Sequence, residues 1–517
     1  MTVKVFDWIA HHARRAPAKL ASVDLHSGRR FTYGEMNDRV ARLAGALGGQ
    51  FGIGQGDRVG VLSMNTSDMF EMQFACARIG AVFLPLNWRL TVSELEFIVG
   101  DAGPNILILD TEFAETGAEV ARLCGIEHKL SLSGDGGDSD YERAIAAAEP
   151  MTKMIDQTDD QMVTVMYTSG TTGLPKGAMI THRMIFYNAV NLGIPAKITP
   201  DTVTLTVLPQ FHTAGLNCYS NPVFHAGGTV LTTRTFDPRE ALDMLLDPAL
   251  GISHFFGVPA NYQFIGQQPD FTEHDLSHLV SAGIGGAPSA KALLDQWAAQ
   301  GVALQQGYGM TETSPLVTFL DAEDAVRKVG SAGKPGLHTE TRIVCEDGSD
   351  AGIGEMGELW CKGPNITPGY WNRPEETAVS ITDGWLHTGD AALIDEEGFY
   401  FIVDRWKDMY ISGGENVYPA EVENVIYQLP AVGEAAVVGI PDEKWGEVGH
   451  VVAVAKAGEA LTEQDILDHC RNKLARFKQP RMVHFIDALP RNATGKVLKR
   501  ELRDFLLQDE EKTAADA

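Results

Sequence analysis

The residues best equipped for chemistry form one run, 167–177, which reads YTSGTTGLPKG. Thr168, Ser169, Gly170, Thr171, Thr172 and Gly173 mix hydroxyls with glycines and carry little bulk. The free backbone N–H groups of such a loop can close into a concave nest around an anion. Lys176 adds one mobile positive charge, and Pro175 stiffens the chain just before it. Together these residues predict a grip on a triphosphate. A flexible Gly/Ser/Thr linker is the plainer alternative, but a linker has no use for a Pro-Lys-Gly clasp between two apolar segments. The run is not the Gly-Lys-Ser/Thr loop that opens a helix, because Gly177 follows Lys176. Apolar, strand-like runs flank it at 162–167 and 178–180. A strand–loop–strand unit must therefore present it, with backbone nests rather than a helix dipole holding the phosphate. Thr181 reads as the N-cap of a helix reaching about residue 192.

A second run, QGYGMTE at 306–312, adds complementary groups. Tyr308 can stack on a planar base and Thr311 can donate to a phosphate. Glu312 is an oxygen ligand suited to Mg²⁺, which prefers oxygens and bridges phosphates. The segment SAGIGGAP at 281–288 ends an apparent strand in small residues, which let a planar base approach the backbone. Taken alone, it is a Gly-rich turn.

The run YTSGTTGLPKG resembles the phosphate loop of the adenylate-forming superfamily, which holds acyl- and aryl-CoA ligases, adenylation domains of nonribosomal peptide synthetases, and luciferases. Further matching segments follow in the family's order: LPQFHTAG (208–215), FFGVP (255–259), SAGIGGAP, QGYGMTE, WLHTGD (385–390), VDRWKD (403–408), ISGGENVYPAE (411–421) and PRNATGK (490–496). The resemblance spans about residues 20 to 500.

It implies a role for each segment. Thr168 and Glu312 would hold Mg²⁺ beside ATP. Gly286, Ala287 and Pro288 would border the adenine, with Gln306, Gly307, Tyr308 and Thr311 in the nucleotide site. Asp390 would grip the ribose hydroxyls by accepting from both, and Arg405 would reach the same sugar. His212, Phe256 and Gly257 would line the acyl pocket, although a buried histidine without a chemical role is the alternative at 212. Gly309 stands where acetate-specific relatives carry Trp, implying a deeper acyl tunnel. Lys407 falls at the interdomain hinge, Gly413 and Gly414 beside the pantetheine arm of CoA, and Lys496 at the catalytic lysine. A basic residue so near a chain end is usually only solvated; the PRNATGK context sets Lys496 apart.

The activity so implied is a ligase joining a carboxylic acid to CoA through acyl-AMP at the expense of ATP. The segment from 404 to 423 most resembles the medium- and long-chain fatty acid branch. An aryl-CoA ligase and a stand-alone adenylation enzyme that loads a carrier protein are the alternatives.

Composition narrows the partners. The 517 residues carry 42 basic and 69 acidic side chains, a net charge of −27, which argues against nucleic acid. It does not argue against ATP or CoA, because distant charges are screened beyond about 8 Å. One lysine about 4 Å from a phosphate is worth roughly 4 kcal/mol at moderate dielectric. The six cysteines form no CxxC or metal spacing, which fits a reduced, cytoplasmic protein. No apolar run approaches the roughly 18 residues of a membrane span. The basic N-terminus places Phe6, Ile9 and Ala10 at helical spacing, a packed amphipathic helix with a membrane-surface role as the alternative. The assembly is left open, a homodimer included.

The elements needed to position these groups are also legible. Helical patterns at 33–47 and 70–79 alternate with strand patterns at 57–62 and 81–85, the signature of parallel βαβ units. A second alternating region runs from 162 to about 330. Segments 364–373 and 383–390 suggest a small β subdomain, a short αβ segment follows 404, and 508–517 reads as a frayed tail. The expected fold is α/β. A large domain at 1–404, with two doubly wound subdomains and a small β subdomain, precedes a small mobile α+β domain at 405–517.

Overall fold

The computed structural model describes residues 3–168, 175–287, 289–405, 408–412, 415–442, 444–471, 473–491 and 497–515, with the backbone alone at 404, 405, 416 and 509–515. Four sheets organise the chain. The first has six strands in the order His128–Leu132, Ile106–Asp110, Arg58–Leu62, Val82–Leu86, Met162–Thr168 and Lys176–Thr181. All neighbours are parallel except the last pair, a hairpin. Its central strands VFLPL and ILILD are buried at every residue, as parallel strands covered on both faces must be.

The second sheet has nine strands, with a parallel centre that includes Val203–Thr206, His254–Gly257, Ser281–Gly285 and Leu304–Gly309. The helix Ser67–Ile79 is buried along its whole length because it packs against strands of both sheets. Helices Tyr33–Gln50 and His182–Gly193 start at threonine caps, Thr32 and Thr181, the second as expected from sequence.

A third, antiparallel sheet runs from Glu340–Val344 to Tyr400–Arg405. The fourth comprises Tyr410–Ser412, Glu415–Val417, Val432–Asp442, Gly446–Ala455 and Met482–Phe485. It has its own core around Tyr410, Val422, Ile426, Val437 and Val451. The six cysteines are free thiols. Among the described residues, no helix is long and apolar enough to cross a membrane.

The structure corrects four expectations. The hairpin at 162–181 belongs to the first sheet, while Leu20–Asp24 joins the second, so the two α/β regions interleave in sequence. A hydrophobic run announces a strand but not its partner. Phe6 precedes its helix and is 70% exposed; the helix begins at Trp8 because Asp7 caps it, and Ile9 and Ala10 alone are buried. Segment 364–373 does not join the small sheet but reaches back to the first, where Tyr370 bridges Ala178. The tail is helical through Ala515, since its Glu, Gln, Lys and Ala favour helix and no Gly or Pro stops it.

Asp7 does two jobs. Its Oδ1 accepts from Ala10 N at 2.8 Å, and its Oδ2 accepts from Arg78 Nε at 2.8 Å. Arg78 is fully buried, so it depends on that carboxylate and on Asn37. Asp7→Ala removes a cap and strands a buried charge. It is expected to cost about 4 kcal/mol, read as a lower urea midpoint at unchanged m. Asp7→Asn, which keeps the cap, should lose less.

Candidate active site

The expected site residues gather at the carboxyl ends of strands, where open α/β sheets place their ligands. Thr168 ends its strand, Gly257 ends His254–Gly257, Gly286 and Ala287 follow Ser281–Gly285, and Thr311 and Glu312 follow Leu304–Gly309. Register aligns these ends, with Gly257 opposite Ile284 and Gly285 opposite Gly307. Gly286 has φ +85°, a left-handed turn that glycine makes without strain, and it and Ala287 are exposed at the cleft.

Glu312 is the centre of the arrangement. It sits in a tight turn, Thr311–Thr313, and is buried. Tyr370 Oη donates to its Oε1 at 2.7 Å, and Thr367 N donates to its backbone carbonyl at 2.8 Å. Backbone bonds from Met179 N to Gly369 O, 3.1 Å, and from Trp371 N to Gly177 O, 2.8 Å, dock the 369–371 segment on the phosphate-loop hairpin. In that hairpin Thr168 faces Lys176. The Lys176 ammonium lies 5.5 Å from the centre of the Tyr370 ring. One phenol thus joins the cation and the carboxylate.

Among the described residues no cluster of three His, Cys, Asp or Glu could hold a metal ion. A buried carboxylate is nevertheless an oxygen ligand that fits Mg²⁺, which takes few protein ligands and fills its shell with water and phosphate oxygens. Thr168 and Glu312 would hold it there, and it would neutralise phosphate charge.

On the ribose side, Asp390 lies opposite Arg405 in the antiparallel pairing of Trp385–Ile394 with Tyr400–Arg405. Tyr308 Oη donates to Asp390 Oδ2. Burial, and then the Asp390 charge, push this phenol well above its ordinary range, so it remains a donor. The Gln306 amide does not face the cleft: it is buried and donates to Ser331 O at 3.1 Å.

On the acyl side, the 208–212 loop is pinned to the first sheet's domain. Asn65 Nδ2 donates to Leu208 O at 2.9 Å, and Thr66 N donates to Gln210 Oε1 at 2.9 Å. His212 is half-buried and its Nδ1 accepts from Ala214 N at 3.2 Å, which leaves the ring proton of the neutral imidazole on Nε2. A small cavity beyond it is lined by Ala214, Tyr219, Ser220, Phe256, Thr204 and Thr206, among others. Gly283 makes room for Phe256, since a Cβ there would come within 2.4 Å of that ring.

Gly309 needs a different explanation from the one expected. A Cβ on it would lie 1.6 Å from the Pro315 carbonyl oxygen, to which Met310 N donates. Glycine is required here by a close backbone approach and says nothing of tunnel depth. Ser169, Gly170, Thr171, Thr172, Gly173, Pro288, Lys407, Gly413, Gly414 and Lys496 lie outside the described residues, as does the side chain of Arg405. Sequence reading missed Tyr370, which stands in a turn-rich loop and becomes informative only through its pairing. It also missed Asn188 and Asn191. Their signal was two amides three residues apart on the buried face of a helix.

Strand-end glycines, a buried carboxylate bonded by Tyr370 and an aspartate bonded by Tyr308 are the features of this α/β arrangement. Residues 9–371 match the family model of the AMP-binding enzyme, and residues 421–496 match that of the AMP-binding enzyme C-terminal domain. The chain belongs to this family of AMP-forming, ATP-binding ligases, the adenylate-forming superfamily that its motifs resemble. A feruloyl-CoA synthase from Amycolatopsis sp is 41% identical over 96% of this chain and 98% of its own. The long-chain-fatty-acid–CoA ligase FadD13 of Mycobacterium tuberculosis is 38% identical over 97% and 98%. Among solved structures, the o-succinylbenzoate CoA synthetase MenE of Bacillus subtilis, in complex with ATP and magnesium ion, superposes with a TM-score of 0.86. It is 30% identical, with 97% of this chain and all of that one covered.

Tyr370→Phe removes the donor to Glu312 at unchanged volume. It should lower the rate of pyrophosphate exchange about tenfold, the equivalent of one hydrogen bond to a charged group, with a melting temperature lower by only about 2 °C. Gly309→Ala should instead destabilise the fold, because its methyl meets backbone that cannot move aside. A lower melting temperature at near-parent acid preference is the expected pair of results.

Proposed function

We propose that this chain is an ATP-dependent carboxylic acid–CoA ligase, and that its acid is aromatic. The observation that supports the reading is the contact of Tyr370 with both Glu312 and Lys176, the strand partner of Thr168. The substrate carboxylate is its own nucleophile: an oxygen bonds the α-phosphorus of ATP as pyrophosphate leaves. The CoA sulfur then bonds the acyl carbon, and AMP departs. Catalysis of this kind rests on positioning and on neutralising phosphate charge. Lys176 and Lys496 supply cationic charge, and Mg²⁺ fits at Thr168 and Glu312.

Support for an aromatic acid comes from the relatives, among which stand feruloyl-CoA and o-succinylbenzoate CoA synthetases. The likeness to FadD13 favours a medium- or long-chain fatty acid as the second reading.

Division into an N-terminal unit, 1–404, and a mobile C-terminal unit, 405–517, belongs to the same proposal, with the break at the end of the third sheet's strand Tyr400–Arg405. The C-terminal unit would turn about Lys407, exchanging Lys496 for the Gly413–Gly414 loop between the two half-reactions.

Aromatic, short, medium and long acids should be compared by CoA-dependent AMP formation. Aromatic acids are expected to lead by at least about tenfold in kcat/KM, the scale on which a pocket separates unlike shapes; a long alkyl acid in first place selects the second reading, and no CoA-dependent AMP with any acid removes both. Lys496→Ala should abolish adenylation and leave thioester formation from supplied acyl-AMP near the parent rate.

A further inference from the structure

The helix His182–Gly193 carries an amide where its buried face calls for an apolar residue. Asn188 is fully buried, between Met184 and Leu192 on the same face. Its Nδ2 donates to Asn217 O at 2.7 Å, and its Oδ1 accepts from Leu316 N at 3.2 Å. These partners lie on two separate elements, both carried by the nine-stranded sheet. Asn217 lies in the turn Ala214–Cys218, which follows His212 and lines the acyl cavity through Ala214. The turn is braced by Asn217 Nδ2 donating to Thr213 Oγ1 at 3.1 Å and by Asn221 Nδ2 donating to Asn217 Oδ1 at 2.7 Å. Leu316 starts the strand that pairs with Gly309, four residues past Glu312. Its carbonyl accepts from Asn365 Nδ2 at 2.8 Å, two residues before Thr367, whose N–H holds the Glu312 carbonyl.

We propose that Asn188 is a positioning residue for adenylation, a two-sided clamp that keeps the acyl wall and the Glu312 turn in one register. The proposal rests on the ligase reading above. A buried amide is costly unless both ends are paired, and here both are paired, to backbone groups of two separate elements. Leucine would fill nearly the same volume and bond neither.

The consequence differs between the half-reactions. In the first, the carboxylate oxygen and the α-phosphorus come from two molecules held by separate elements, so a register error of about 1 Å costs roughly a hundredfold. In the second, acyl group and phosphate are already one covalent molecule, and their distance no longer depends on the clamp.

The test is Asn188→Leu, assayed by pyrophosphate exchange and by thioester formation from supplied acyl-AMP, with an acid that the parent enzyme uses. The expected result is a kcat for exchange about a hundredfold lower, with KM values for ATP and acid within about threefold and thioester formation within about threefold of the parent. An equal fall in both half-reactions, or unchanged exchange, overturns the proposal. Should Asn188→Leu not fold, Asn188→Ala is judged by the same ratio. Failure of both to fold makes Asn188 a folding residue and overturns it as well. A parent enzyme that forms no AMP with CoA and any acid overturns the ligase reading instead, a result visible before any variant is made.

Discussion

The hydrogen bond from Tyr370 to Glu312 is where three sheets meet. Glu312 hangs from the nine-stranded sheet, and Tyr370 bridges Ala178 on the edge hairpin of the six-stranded one. The segment that carries Tyr370 leaves the antiparallel sheet after Gly357–Lys362 and returns to it at Ile381–Thr382. One bond of this kind contributes only about 1.5–3 kcal/mol net, because water would bond the same groups in the unfolded chain. Its importance is geometric. The hairpin strand that carries Lys176 and the turn that carries Glu312 belong to separate sheets, and this contact fixes one against the other.

The same economy of polar contacts recurs in the interior. Asn65, Gln210, Asn188, Asn191, Asn217, Asn221 and Asn365 are all buried, and each bonds an element other than its own or braces one that does. Apolar residues would stabilise the interior at least as well, since a hydrogen bond formed on folding largely replaces one to water. What amides add is direction: a bond of about 3 Å is satisfied in one register and lost in the next. An interior built where several elements meet gains more from direction than from stability.

Charge is arranged on the same principle. The chain is strongly acidic, yet it belongs to a family of ATP-binding enzymes. Surface carboxylates act through water and salt and fade within a Debye length. Lys176 is held over an aromatic ring whose face attracts it. Elsewhere partly buried arginines are matched locally, Arg39 with Glu71 and Glu142 and Arg29 with Asp68.

Much of this was legible in the sequence because it is local. Strand and helix periodicity, the Thr181 cap and the glycine and hydroxyl runs each follow from neighbouring residues, and the helix 182–193 and the strands at 58–62 and 82–86 lie within a few residues of where periodicity put them. Gly257, Gly286 and Glu312 lie far apart in the chain but near one edge because the strands that lead to them are parallel and in register. Partnership was not legible. Nothing in 162–181 says that it pairs with the first sheet, nothing in 364–373 says that Tyr370 turns back to Glu312, and Gly309 looked like space when it is a point of backbone contact. Those facts depend on which distant element lies alongside. Local periodicity tells a residue whether it faces inward, and the tertiary structure alone decides what it meets there.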